Sequence, residues 1–257
     1  MNTSKSLIYT GIIPARYASM RFPGKPLVMI GNKPMIQVVY EQAIKALENV
    51  FVATDDERIY DSVIRFGGKV VMTLTTHMSG TDRCAEAAHF IETETGIISD
   101  VIINIQGDEP FIKPEQIDIL KSCFIDDDVE IATLIRETMP GEDLFNPNQI
   151  KVVRDKKKNA IYFSRSAIPF FRGEDQNDWT LKHPYYKHIG IYAYRSEILD
   201  QITLLERTPL EIAESLEQNR WIENGYKIRT AETDWDSIGI DTPEDLERAK
   251  ELLGGNN

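Results

Sequence analysis

From Leu7 to Phe124, short apolar runs rich in β-branched residues alternate with amphipathic stretches, and that alternation leaves few architectures open. Leu7 to Pro14, Val50 to Thr54, Lys69 to Met72 and Val101 to Ile105 read as strands, the last being the strongest. Pro34 to Leu47, Asp56 to Phe66, Thr81 to Thr95 and Lys113 to Phe124 read as helices following them. In the first helix Ile36, Val39, Tyr40, Ala43 and Leu47 recur near helical spacing, and Gly67-Gly68 stops the second. Strand and helix at this pace imply an α/β fold, Rossmann-like, with a mostly parallel sheet and helices on both faces.

Beyond Ile131 to Arg136 the pattern loosens. Lys151 to Arg154 and Ala160 to Ser164 predict a hairpin around Lys156-Lys157-Lys158-Asn159, and Lys187 to Tyr194 a further strand. Pro169 to Tyr186 is polar and aromatic without a period and reads as a long loop. Thr208-Pro209-Leu210-Glu211 and Thr242-Pro243-Glu244-Asp245 each place Thr at a cap, Pro first in the helix and an acid third, predicting two capping boxes. Lys227 to Thr233 is a strand between them. With no repeat, linker or low-complexity segment, residues 1–257 are expected to form one domain carrying an inserted β arm and loop at about 151–194.

A chain of 257 residues is long enough to hold a core without disulfides or metals. Its net charge of −12 argues against a nucleic-acid coat, so any bound phosphate needs a local basic cluster. No uninterrupted apolar run exceeds four residues, and a membrane helix needs about twenty. The polar start at Met1 to Ser6 lacks a secretory pattern, and Cys84 and Cys123 stand apart without metal spacing. A cytoplasmic protein with reduced thiols is expected.

The first predicted strand runs into Pro14-Ala15-Arg16-Tyr17-Ala18-Ser19-Met20-Arg21-Phe22-Pro23-Gly24-Lys25-Pro26. Arg16, Arg21 and Lys25 thus follow the carboxyl end of a parallel strand, where open α/β sheets bind ligands. They form either a solvated basic loop or a polyphosphate cradle; neither GxxxxGK[ST] nor GxGxxG occurs in the chain. The fourth strand runs into Asn104-Ile105-Gln106-Gly107-Asp108-Glu109-Pro110, where Asp108 suits either magnesium or the dipole of the next helix. Asp241, before the last Thr-Pro cap, is turn chemistry or a second carboxylate, and spacing cannot pair it with Asp108. His77, His89, His183 and His188 lack zinc spacing and read as hydrogen-bonded structural groups.

The Pro14 to Pro26 loop resembles the signature of sugar nucleotidyltransferases, and Arg16-Tyr17-Ala18-Ser19 narrows the match. From about Leu7 to Leu253 the chain resembles the 3-deoxy-manno-octulosonate (Kdo) cytidylyltransferases. Matching stretches are Ala53-Thr54-Asp55, Ser79-Gly80-Thr81-Asp82-Arg83, Gln106-Gly107-Asp108-Glu109-Pro110 and Phe145-Asn146-Pro147-Asn148. Tyr162-Phe163-Ser164-Arg165, His188-Ile189-Gly190-Ile191-Tyr192, Leu216-Glu217-Gln218 and Gly239-Ile240-Asp241-Thr242-Pro243-Glu244-Asp245-Leu246 complete them. Each is weak alone; in order over the full length they are specific. Phe22 stands where Leu commonly precedes Pro-Gly-Lys, and the Phe170 to Tyr186 loop does not match well.

The resemblance implies the nucleotide-diphospho-sugar transferase type of fold. It also implies a Mg2+-dependent reaction of CTP with Kdo that gives CMP-Kdo and pyrophosphate for lipopolysaccharide biosynthesis. Arg16 and Lys25 would hold the triphosphate, with Arg21 assisting, while Pro14, Ala15, Ser79 and Arg83 lie near the cytosine end. Asp108 and Asp241 would share the metal and join Arg16 and Lys25 as the catalytic set. Arg165 would meet the Kdo carboxylate, and Gln106, His188, Tyr192 and Glu217 the sugar hydroxyls, although Tyr192 also suits a core and Glu217 an exposed helix face. The unmatched loop leaves Kdo, an amino-substituted Kdo or a sialic acid open. The resemblance further implies a homodimer through the arm, whose Tyr162, Phe163, Ile189, Ile191 and Tyr194 are apolar enough to need cover. A nucleotide sensor without catalysis would keep the cations but not both carboxylates. A protein-interaction module would need no basic loop at a strand end.

Overall fold

The computed structural model describes residues 6–18, 22–236 and 239–254. Its first elements are β1 (Tyr9–Ala15), the short β2 (Met29–Ile30) and β3 (Lys33–Pro34), α1 (Met35–Ala43), β4 (Asn49–Thr54) and α2 (Glu57–Arg65). Next come β5 (Val70–Met72), α3 (Gly80–Thr95), β6 (Val101–Asn104), α4 (Pro114–Cys123) and β7 (Ile131–Glu137). β8 (Lys151–Arg154), β9 (Ala160–Ser164), α5 (Trp179–Lys182), β10 (Tyr186–Arg195) and α6 (Ser196–Thr203) follow. The chain closes with α7 (Pro209–Glu214), α8 (Glu217–Glu223), β11 (Ile228–Glu232) and α9 (Pro243–Gly254). The result is the expected mostly parallel sheet flanked by helices.

The chain resolves into two compact units, Met1–Asp118 with Ala193–Thr203 and Ser237–Asn257, and Ile119–Tyr192 with Leu204–Asp236. The strands β8, β9 and most of β10, at about 151–194, lie in the second unit.

In the first unit the strands run β6-β1-β4-β5, and each neighbouring pair is parallel. Val50, Phe51, Val52 and Ala53 of β4 and Val101, Ile102 and Ile103 of β6 are all buried. Helices cover both faces of such a sheet, so its strands read as unbroken apolar runs. Local chemistry bounds the helices. Asp56 caps α2 by accepting from the Arg58 N–H at 3.0 Å, and Ser79 and Asp82 form a reciprocal capping box on α3. Cys84 is buried and Cys123 partly so, both as free thiols.

In the second unit β7 lies between β11, parallel to it, and β10, while β8 pairs antiparallel with both β10 and β9. The predicted 151–164 hairpin is therefore present. The stretch read as an aperiodic loop contains a 3-10 turn at Gln176–Asp178 and α5. Trp179, buried to 2% exposure, orders it by stacking on Tyr185 at 5.9 Å and meeting Phe145 and Phe170. Tertiary burial of one aromatic supplies what local periodicity lacked. Phe163, Ile189, Ile191 and Tyr194, expected to need a partner's cover, are already buried within the chain.

Of the two predicted capping boxes, one forms. Thr242 accepts from the Asp245 N–H at 3.2 Å, and Asp245 accepts from the Thr242 N–H at 3.0 Å. At α7 the Thr208 side chain makes no cap bond. Glu211 is instead buried against Arg220 and bonded by Arg207, so its carboxylate answers cations and leaves the cap unmade. Thr242→Ala is expected to lower unfolding stability by about 1 kcal/mol. Thr208→Ala should stay within about 0.5 kcal/mol of the parent; chemical denaturation of both variants measures the contrast.

Candidate active site

β1 delivers Pro14 and Ala15 to its carboxyl end, and the chain then loops back. Gly24 closes that loop with its N–H on the Tyr17 carbonyl at 2.9 Å and a left-handed φ of 71°. A Cβ at Gly24 would meet the Tyr17 ring at 3.1 Å, and the Arg58 guanidinium stacks on that ring at 3.3 Å. Glycine is required for both the dihedral and the ring contact. The turn after it presents Lys25.

Lys25 Nζ donates to Asp108 Oδ2 at 2.6 Å and to Asp241 Oδ1 at 2.9 Å. Asp108 follows β6 by way of Gly107, where a Cβ would stand 3.0 Å from the Pro14 carbonyl oxygen. Asp241 is brought alongside by the main chain: the Ile240 N–H bonds the Asp108 carbonyl at 2.9 Å. Ile240 is itself wholly buried with Ile30, Met35, Leu246 and Ala249. Burial alone would lower the Lys25 pKa, but Asp108 and then Asp241 outweigh it and hold the ammonium above its ordinary value.

These groups face a cavity of ≈620 Å3 whose lining includes Pro14, Ala15, Arg16, Lys25, Ser79, Arg83, Gln106, Asp108 and Asp241. All belong to the first unit. Arg21 lies outside the described residues. Arg16 is exposed, whereas Arg83 is buried and ion-paired to Asp55 at 2.7 Å. Arg83 also bonds Thr73 and the Leu74 carbonyl, so its guanidinium mainly holds the cavity wall in place. Gly80 of the matched Ser79 to Arg83 stretch lines the same cavity, as do His77, which the sequence reads as a structural group, and Met78 and Gly107, to which it assigns no role. His77 is tied to Glu86, and its position just before Ser79-Gly80 was the available signal.

The second unit holds the other predicted groups. The Arg165 N–H bonds Glu214 Oε2 at 2.9 Å, and its guanidinium donates to the carbonyls of Glu214 at 2.7 Å and Pro147 at 3.1 Å. The Arg165 carbonyl accepts from Lys151 Nζ at 2.6 Å; this buried ammonium also takes the Asn146 and Gln149 carbonyls. Nothing in the sequence marks Lys151 or Glu214. His188 and Tyr192 have ring centroids 5.1 Å apart, and Glu217 is paired to Arg220 at 2.6 Å. Burial, then the Glu217 charge, raise the Tyr192 phenol well above its ordinary pKa.

The tautomer of His188 follows from its partner. Thr133 Oγ1 lies 2.9 Å from His188 Nε2 and 2.8 Å from the Ile191 carbonyl. A carbonyl only accepts, so the hydroxyl donates to Ile191 and accepts from Nε2–H. That leaves Nδ1 of a neutral ring as an acceptor. Burial pushes the pKa of His188 down to about 3.

Residues 10–228 match the family model described as cytidylyltransferase. Across 95% of this chain and 98% of the relative, the chain is 56% identical to a 3-deoxy-manno-octulosonate cytidylyltransferase of Bacteroides thetaiotaomicron. The chain belongs to the 3-deoxy-manno-octulosonate cytidylyltransferase family. A family member from Thermodesulfovibrio yellowstonii is 50% identical over 94% of this chain and 96% of its own. A solved CMP:2-keto-3-deoxy-manno-octonic acid synthetase complexed with CTP is similar at TM-score 0.87 and 41% identity, covering 97% of this chain and 100% of that one. A cytidylyltransferase from Leptospira borgpetersenii, 19% identical at TM-score 0.63, shares the fold alone.

The neutral histidine of this family member has a measurable consequence. Below pH of about 6.5 the unfolded chain protonates His188 while the folded chain does not, so stability falls as pH falls. Between pH 7 and pH 5 the parent is expected to lose about 2 kcal/mol more than His188→Gln. Denaturation of both proteins at the two pH values measures the difference.

Proposed function

We propose that the chain transfers CMP from CTP to the anomeric hydroxyl of Kdo, releasing pyrophosphate, and so supplies activated Kdo for lipopolysaccharide biosynthesis. The observation that carries the reading is the meeting of Lys25, Asp108 and Asp241 in a cavity that Arg16 also lines. The anomeric oxygen forms a bond to the α-phosphorus while the bond to the β-phosphate oxygen breaks. Pyrophosphate leaves with that electron pair, and the hydroxyl proton goes to solvent. Such chemistry asks a protein mainly for positioning and for charge to meet the leaving group. Arg16 and Lys25 supply the positive charge, with Arg21 assisting; Pro14, Ala15, Ser79 and Arg83 form the wall assigned to the cytosine end.

The donor set fits magnesium. Among the described residues no group of three or more His, Cys, Asp or Glu gathers into a metal cage. Two carboxylates do face one cationic nitrogen, side chains 31% and 44% exposed. Magnesium typically takes one or two carboxylates and completes its shell with water and substrate phosphates. Asp108 and Asp241 would hold the ion, which when bound supplies charge neutralisation for the nucleotide and the attacking oxygen.

Gln106 lines the cavity and offers its amide to a sugar hydroxyl. In the second unit Arg165 is the guanidinium assigned to the sugar carboxylate, His188 Nδ1 an acceptor for a hydroxyl, and Tyr192 and Glu217 its further partners. We infer a cytoplasmic enzyme; among the described residues no helix is long and apolar enough to cross a membrane. A homodimer is the proposed assembly, supported by Ile161 and Phe170, which stand 55% and 72% exposed.

Pyrophosphate release with magnesium tests the whole reading, offering CTP against ATP, GTP and UTP, and Kdo against amino-Kdo and a sialic acid. Release is expected only with CTP and Kdo together. Release with CTP and a different sugar acid would overturn the sugar; no release with any pair would overturn catalysis. Asp108→Asn is expected to lower kcat by about a thousandfold or more while leaving the thermal midpoint near that of the parent.

A further inference from the structure

Arg165 is held from both sides of its peptide. Lys151 Nζ fixes its carbonyl, and Glu214 Oε2 fixes its N–H. Glu214 is the anchor tied to β9 by side chains as well as backbone. Its carboxylate also accepts from Ser164 Oγ at 2.6 Å and from the Tyr162 hydroxyl at 3.2 Å, so three donors from one short stretch of β9 and its end converge on it. Its own carbonyl receives Arg165 Nε at 2.7 Å. Burial would raise the Glu214 pKa, but these donors, the Arg165 N–H foremost, bring it below the usual range, so the group is an anion at neutral pH.

Glu214 is also the last residue of α7, and the chain turns sharply after it. Ser215 adopts a left-handed φ of 52°, a conformation that non-glycine residues hold only when their surroundings impose it. Its carbonyl faces Arg165 Nη2 at 3.5 Å. Two residues further on, Glu217 opens α8, whose Asn219 bonds both the N–H and the carbonyl of Phe163 on β9. Glu214 and Asn219 therefore stitch the corner between α7 and α8 to a single strand, with Arg165 on one side of the stitch and Glu217 on the other.

We propose that Glu214 is a positioning residue for sugar-acid recognition, setting the direction of the Arg165 guanidinium and the start of the helix that bears Glu217. The inference rests on the reading that Arg165 meets the sugar carboxylate. Glu214 touches no reacting atom in this scheme; it orders the groups that do.

The test is steady-state kinetics of full-length Glu214→Ala, Glu214→Gln and Arg165→Ala, varying Kdo and CTP separately and recording CTP protection against heat. Glu214→Ala is expected to raise the KM for Kdo about tenfold or more, with the KM for CTP and the CTP-induced thermal shift within about twofold of the parent. Glu214→Gln, which keeps one acceptor oxygen, should recover part of that loss. Should Glu214→Ala fail to fold, Ser164→Ala removes a single donor and should give a smaller rise confined to Kdo. Equal effects on both substrates would reduce Glu214 to a general structural role and overturn the proposal. An unchanged KM for Kdo in Glu214→Ala, beside a raised one in Arg165→Ala, would overturn the positioning role while sparing Arg165. An unchanged KM for Kdo in Arg165→Ala would remove Arg165 from sugar binding, and the proposal with it.

Discussion

A single ammonium, that of Lys25, gathers carboxylates that lie 83 and 216 positions away in the chain. Two aspartates brought this close would repel one another without a cation between them. Much of the first unit reads as the means of making that meeting possible. Gly24 turns the basic loop back, Gly107 lets the strand after β6 pass the Pro14 carbonyl, and the Ile240 N–H draws the C-terminal segment onto Asp108. The apolar burial of Ile240 anchors the segment that carries Asp241. Chemistry suited to a triphosphate thus depends on packing that carries no charge at all.

The second unit reaches order by a different route. Its framework contains one buried charge satisfied by backbone, Lys151, whose three donors go to three carbonyls, and one partly buried charge, Glu214, which accepts the Arg165 N–H and the Ser164 and Tyr162 hydroxyls. Burying an ammonium is costly unless its hydrogen bonds are complete, and here they are. His188 stays neutral because it is buried, within an aromatic surround of Phe163 and Tyr192 and with Thr133 Oγ1 beside its Nε2. The proposed function assigns this neutral imidazole, the Arg165 guanidinium and the protonated Tyr192 phenol to the hydroxyls and carboxylate of the sugar acid.

Much of this was legible in the sequence because it is local. The strands β1, β4, β5 and β6 and the helices α1 to α4 follow from runs and periods a few residues long, and their boundaries differ from expectation by at most four residues. Where reading failed, a distant partner had intervened. Glu211 left the Thr208 cap for Arg220, and Trp179 built a helical turn in a stretch with no period. Phe163, Ile189, Ile191 and Tyr194 of the arm found cover within the chain, while Ile161 beside them stays exposed. The α6 helix and the anchors Lys151 and Glu214 had no marker to be found by.

By itself the sequence determined the α/β class, the basic loop at the end of β1, and the residue types available for a nucleotide and a sugar acid. It also determined the family, since its motifs occur in order along the chain. Only the tertiary structure decided that Asp108 and Asp241 face the same nitrogen, that Arg83 is committed to Asp55, and that His188 carries its proton on Nε2. Propensities and caps act over one or two turns, so a linear reading finds them. Pairing between residues far apart in sequence depends on the path of the chain, and a hydrogen bond or ion pair is settled only where that path brings donor and acceptor within about 3 Å.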